Sequence, residues 1–97
     1  MDEQVYQRGD TIRLTCTFYN FDNVAVDPSE VKMIIYDSTY TKTSETILNS
    51  SNRTGTGIYF YDYFADVTKD TKIIYEWHGI IEGTPSIKRG SFNIVFI

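Results

Sequence analysis

The sequence is poorest in the residues that carry chemistry. Among 97 residues there is one cysteine, Cys16, and one histidine, His78. A lone thiol cannot close an intramolecular disulfide, and one thiol with one imidazole cannot furnish a Cys/His zinc site. No Gly-rich phosphate loop and no Gly-x-Ser-x-Gly turn occurs, and no paired carboxylates flank a predictable cleft, so no acid, base or nucleophile can be assigned. The expectation is a protein that is not an enzyme and holds no cofactor and no metal. Cations are scarce as well: 9 Lys and Arg stand against 13 Asp and Glu, a formal charge of −4 that repels phosphate backbones. Nucleic acid is not an expected partner. No apolar run approaches the roughly 20 residues that cross a bilayer as a helix, so a soluble protein without membrane contact is expected. The amino terminus, Met1-Asp2-Glu3-Gln4, has no positive region and no apolar stretch, and folding in a cytosol is the expectation.

What the sequence does hold is strand-forming material. With 41% hydrophobic and 23% charged residues the chain reads as globular, and its length fits a single domain over residues 1–97. Thirty residues are β-branched (12 Thr, 12 Ile, 6 Val), and aromatics add 15%. Ile12, Leu14, Cys16 and Phe18 alternate with Arg13, Thr15 and Thr17, the two-residue period of a half-buried strand. Turns are expected at Arg8-Gly9-Asp10, over Asn20 to Asn23, and at Asp27-Pro28-Ser29, followed by a strand from Val31 to Tyr36. Residues 37–56 are mostly Ser, Thr, Asn and Lys and predict a crossing connection with one short strand at Ile47-Leu48. Ile58 to Phe64 is a strand with tyrosine at every odd position. A polar turn from Asp66 to Lys72, with room for one helical turn, leads to Ile73–Ile81, which a Glu82-Gly83 hairpin joins to Pro85–Phe96. About seven short strands without helical periodicity predict an all-β, antiparallel β-sandwich, with a small barrel as the alternative.

Four segments together carry a resemblance: Gly9-Asp10-Thr11-Ile12-Arg13-Leu14, Asp27-Pro28-Ser29-Glu30-Val31, Gly57-Ile58-Tyr59-Phe60-Tyr61-Asp62, and Tyr75-Glu76-Trp77-His78-Gly79 leading to Arg89-Gly90-Ser91-Phe92. Their order and spacing resemble the short immunoglobulin-like domains encoded among bacteriophage virion structural genes. That resemblance implies an immunoglobulin-like sandwich and a noncatalytic structural protein of the virion, at the capsid surface, neck or tail, made in the host cytoplasm. It also implies that Trp77 stands where the second cysteine of an antibody-type domain would fall, leaving Cys16 as a small core residue opposite an indole.

Several residues invite sharper readings. Tyr59, Tyr61 and Tyr63 could stack sugars, the alternative function of a carbohydrate- or receptor-binding module. Asp62 lies on the other side of the strand, and an unpaired carboxylate is costly to bury, which favours the tyrosines as the core face. Ile58, Phe60 and Phe64 then point outward, together with Ile34, Ile74, Val95 and Ile97. That surplus predicts an interface with copies of the chain or with other proteins, which the resemblance implies are virion proteins, aided by strand addition at an open edge near Lys88 to Phe92. Asp62, Asp66 and Asp70, or Asp22, Asp27 and Asp37, match no calcium loop pattern and read as solvated turns. Arg8-Gly9-Asp10 spells an integrin-recognised tripeptide but reads as a tight turn. The sequons at Asn49 and Asn52 read as loop composition, and His78 beside Glu76 as a surface pair.

Overall fold

Strand alternation sets the architecture. The computed structural model describes residues 4–97; Met1, Asp2 and Glu3, on which part of the amino-terminal reading falls, lie outside the described residues. Eight strands form among these residues: β1 (Gln4–Gln7), β2 (Thr11–Thr17), β3 (Glu30–Tyr36), β4 (Lys42–Ile47), β5 (Arg53–Gly55), β6 (Ile58–Phe64), β7 (Thr71–Ile81) and β8 (Thr84–Val95). The described residues contain no α-helix, only a 3₁₀ turn at Ser50–Asn52. The strands make a five-stranded sheet ordered β1-β8-β7-β3-β4 and a three-stranded sheet ordered β2-β6-β5. Every named pairing is antiparallel except that of β1 with β8, which is parallel.

The inward side chains of both sheets meet in one core. Ile12, Leu14 and Cys16 from β2 and Tyr59 from β6 face Val31, Met33 and Ile35 from β3, Ile73, Trp77 and Ile81 from β7, and Phe92 and Ile94 from β8. Phe18, just beyond β2, is fully buried, with its ring edge-to-face against Tyr59 and Trp77 at centroid distances of 6.1 and 6.5 Å. Burying each such large side chain contributes about 1.5–3 kcal/mol. Gly79 makes room for the Phe18 ring: a Cβ there would come 2.7 Å from Phe18 Cε1. The β7–β8 hairpin turns through Glu82 and Gly83, both at positive φ (52° and 75°), the backbone that a two-residue loop between twisted strands requires.

The connection predicted over residues 37–56 is corrected. It contains two strands, β4 and β5, rather than one short strand at Ile47-Leu48. β4 is an edge strand whose residues are nearly all exposed, so it carries no apolar alternation to read. Its entry is made by Asp37, whose Oδ1 accepts from the backbone N–H groups of Thr39 (2.9 Å) and Thr41 (3.0 Å). β1 was not expected either. It brings the count to eight and adds a parallel pair to a fold predicted as antiparallel. Residues 66–70 bend without making a helical turn, and Thr71 and Lys72, expected in that turn, already belong to β7.

Candidate interaction surfaces

The seven residues predicted as an interface do not form one patch. Ile58, Phe60 and Phe64 lie on the outer face of the three-stranded sheet, because Tyr59, Tyr61 and Tyr63 turn inward against the core. Ile34 and Ile74 lie on the outer face of the five-stranded sheet, on the opposite side of the molecule. Val95 ends β8, and Ile97 stands exposed beyond it. Tyr59 is buried, and burial pushes its phenol up, as it does for Tyr63. A stripe turned into the core leaves no row of three rings for a sugar to stack on.

On the three-stranded sheet Phe60 is covered by its own neighbour. The Arg13 guanidinium lies 4.0 Å from the centre of the Phe60 ring and is held there by two bonds to Asp62, Nε to Oδ1 at 2.8 Å and a terminal nitrogen to Oδ2 at 2.9 Å. That hydrogen bonding holds the Asp62 carboxyl below the usual carboxylate range. Ile58 and Phe64 flank this plate, and Phe64 is 56% exposed. The result is a flat, braced surface of apolar and ion-paired groups.

The five-stranded sheet is different. Ile34 and Ile74 are only 8% and 9% exposed although they face outward. Long side chains cover this face: Tyr36, Tyr40 and Arg89 surround Ile74 in a shallow depression of about 320 Å³. Glu76, directly across β7–β8 from Arg89, is 4% exposed and accepts a 2.8 Å bond from Arg89 Nε, with the Tyr36 hydroxyl at 3.5 Å. The acid expected to pair with His78 therefore belongs to Arg89. His78 Nδ1 is buried with no partner among the described residues.

Two further aspartates act as braces. Asp27 joins Arg53 (3.0 Å) to the Gly57 N–H (2.7 Å), and Asp70 joins Arg8 (3.1 Å) to the Phe96 N–H (3.1 Å). Among the described residues no group of three or more His, Cys, Asp or Glu side chains is arranged to hold a metal ion. Arg8-Gly9-Asp10 forms the expected turn, with Gly9 at φ 89° and the Gly9 N–H bonded to the Ala65 carbonyl at 2.8 Å. Asn49 and Asn52 form a reciprocal cap on the 3₁₀ turn.

Two features escape the sequence reading. Phe21 is 84% exposed at the tip of a loop that Asn20 closes: Asn20 Oδ1 accepts from the N–H groups of Asp22 (2.9 Å) and Val24 (3.0 Å), and the Asn20 N–H donates to the Val24 carbonyl (2.9 Å). With Tyr19 and Val24 also exposed, a fixed loop presents bare apolar surface; its only signal is a phenylalanine inside an otherwise polar turn. The second is a lateral cleft of about 250 Å³ between β2 and β8, lined by residues that include Cys16, Thr17, Tyr75, Trp77 and Lys88. Cys16 and Trp77 thus share both the core and this cleft. Burial pushes the Cys16 thiol up, and the nearby Lys88 charge pulls it partly back.

No helix among the described residues is long and apolar enough to cross a membrane. In comparisons with known proteins, no family model, no curated protein and no solved structure matches this chain.

Proposed function

We propose that this chain is a noncatalytic assembly module, an immunoglobulin-like sandwich that acts as a structural component of a bacteriophage virion by binding copies of itself or other virion proteins. The observation that carries the binding part is apolar surface on rigid supports: Ile58 and Phe64 beside the braced Arg13–Asp62 plate, and Phe21 on its closed loop. Apolar side chains carried on backbone already held in one conformation spare the entropy of ordering their supports on docking, which helps anchor residues reach useful affinity. The noncatalytic part is supported by the engagement of the reactive groups. Glu76 is committed to Arg89, Asp27 to Arg53, and Cys16 is buried with its thiol pushed up.

The immunoglobulin-like part is supported by strand order. In this reading the order β2-β6-β5 is assigned to strands B, E and D of that architecture and the order β8-β7-β3-β4 to G, F, C and C′, while β1 leans in parallel on the last strand. The virion part rests on the four-segment resemblance. The test of assembly is sedimentation velocity across the micromolar range, where species heavier than the 11.2 kDa chain are expected. A strict monomer throughout, with no binding to purified virion proteins, overturns the assembly reading. Genes for portal, capsid or tail proteins on either side of the coding sequence are expected, and a metabolic operon overturns the virion assignment alone.

A further inference from the structure

The lateral cleft sits beside an open strand edge. A two-residue loop pairs Ile81 with Thr84, so these two residues exchange main-chain bonds and the ladder then alternates outward along β7 and β8. Residues 85, 87 and 89 consequently turn their main-chain groups away from β7. Pro85 occupies one of these positions, where its missing N–H costs the ladder nothing. Among the described residues β1 takes the same side of β8 from Phe92 to Val95, so of the edge expected near Lys88 to Phe92 it covers the last residue. Among the described residues no strand pairs with that side over residues 84–88, and Ile87 offers its N–H and C=O there.

The cleft behind this edge is rich in donors. Trp77 lines it, is 2% exposed, and its Nε1–H has no acceptor among the described residues. Lys88 points inward and gives one N–H to the Thr17 carbonyl at 2.7 Å, which leaves two further donors on the ammonium. The charges on residues 84–90 are Lys88 and Arg89, both positive, and Arg89 is engaged with Glu76 on the outer face. In a strand added beside β8, alternate side chains point inward, and the residue beside Lys88 would enter the cleft.

We infer that this edge binds an extended peptide segment of a partner protein as an added strand, with one Asp or Glu side chain in the cleft accepting from Trp77 Nε1 and Lys88 Nζ. The inference rests on the reading of the chain as a binding module and names the chemistry of one partner. An inward lysine on an edge strand is also a device that repels strand addition, so the experiment must separate recruitment from exclusion.

The probes are peptides of roughly eight residues, alternating Val and Thr, with a central Glu, Asp, Gln or Lys. They are titrated into the full chain labelled with ¹⁵N, whose single tryptophan gives one indole resonance. The Glu and Asp peptides are expected to shift that resonance, to slow amide exchange at Ile87 and Arg89, and to bind about 10-fold more tightly than the Lys peptide. Lys88→Arg keeps the preference, and Lys88→Ala, at an exposed position, removes the preference for Glu over Gln. Failure of every peptide to bind, equal binding of the Lys peptide, binding that leaves the indole unmoved, or tighter binding by Lys88→Ala each overturns the inference. Self-association of the free chain is read separately by sedimentation, so the two proposals fail independently.

Discussion

Glu76 faces outward from its sheet yet is as buried as the core, and its carboxylate depends on one cation. Arg89 Nε donates at 2.8 Å from a side chain that is itself 64% exposed, while the Tyr36 hydroxyl, at 3.5 Å, is at the limit of a hydrogen bond. Arg89→Ala is therefore expected to cost about 1–3 kcal/mol by leaving a desolvated charge nearly alone. A urea titration should show a lower midpoint with unchanged slope, and Glu76→Gln in the same background should recover part of the loss; an unchanged midpoint in Arg89→Ala would show that the pair contributes nothing. The inward turn of the tyrosines was readable, because Asp62 marks the wet side of β6. The covering of Ile34, Ile74 and Glu76 was not, because alternation assigns a side of the sheet and says nothing of the long neighbours that fold over it.

At the scale of elements, aspartates fasten the connections. Asp27 is held below the usual carboxylate range by its bonds from Arg53 and the Gly57 N–H, Asp37 by the Thr39 hydroxyl and the Thr41 and Thr39 N–H groups, and Asp62 by Arg13. A carboxyl depressed on folding binds fewer protons than in the unfolded chain. Its stabilisation is complete above the unfolded value near 3.9 and is lost as pH falls through the lower folded values. Tyr59, Tyr63 and Tyr75 shift the other way because burial disfavours the phenolate, so stability should also fall as pH climbs past about 10. Melting temperatures across the pH range should trace a plateau with both limbs, and a curve flat from about pH 4 to pH 2 would contradict the acid limb. β2, β3, β6, β7 and β8 were legible because each buries one face or both. β1, β4 and β5 are short or peripheral, and strands held mainly by a neighbour's main chain leave little trace in side-chain pattern.

The whole molecule has two unlike outer skins, one open and braced, one roofed by its own long side chains. Replacing Ile58 and Phe64 together by serine should weaken self-association while lowering the melting temperature less than loss of a covered side chain would, since the two are 39% and 56% exposed. Ile74→Ser should instead lower stability by about 2–4 kcal/mol, because that side chain is covered. Sedimentation and thermal melts on the two variants separate the skins, and equal stability losses in both would erase the distinction. The parallel contact of β1 with β8 has a mechanical consequence. Its register runs from Gln4 opposite Phe92 to Gln7 opposite Val95, so a pull that draws Gln4 back and Val95 forward slides the two strands along each other. The hydrogen bonds between them then share the load at once rather than opening one after another.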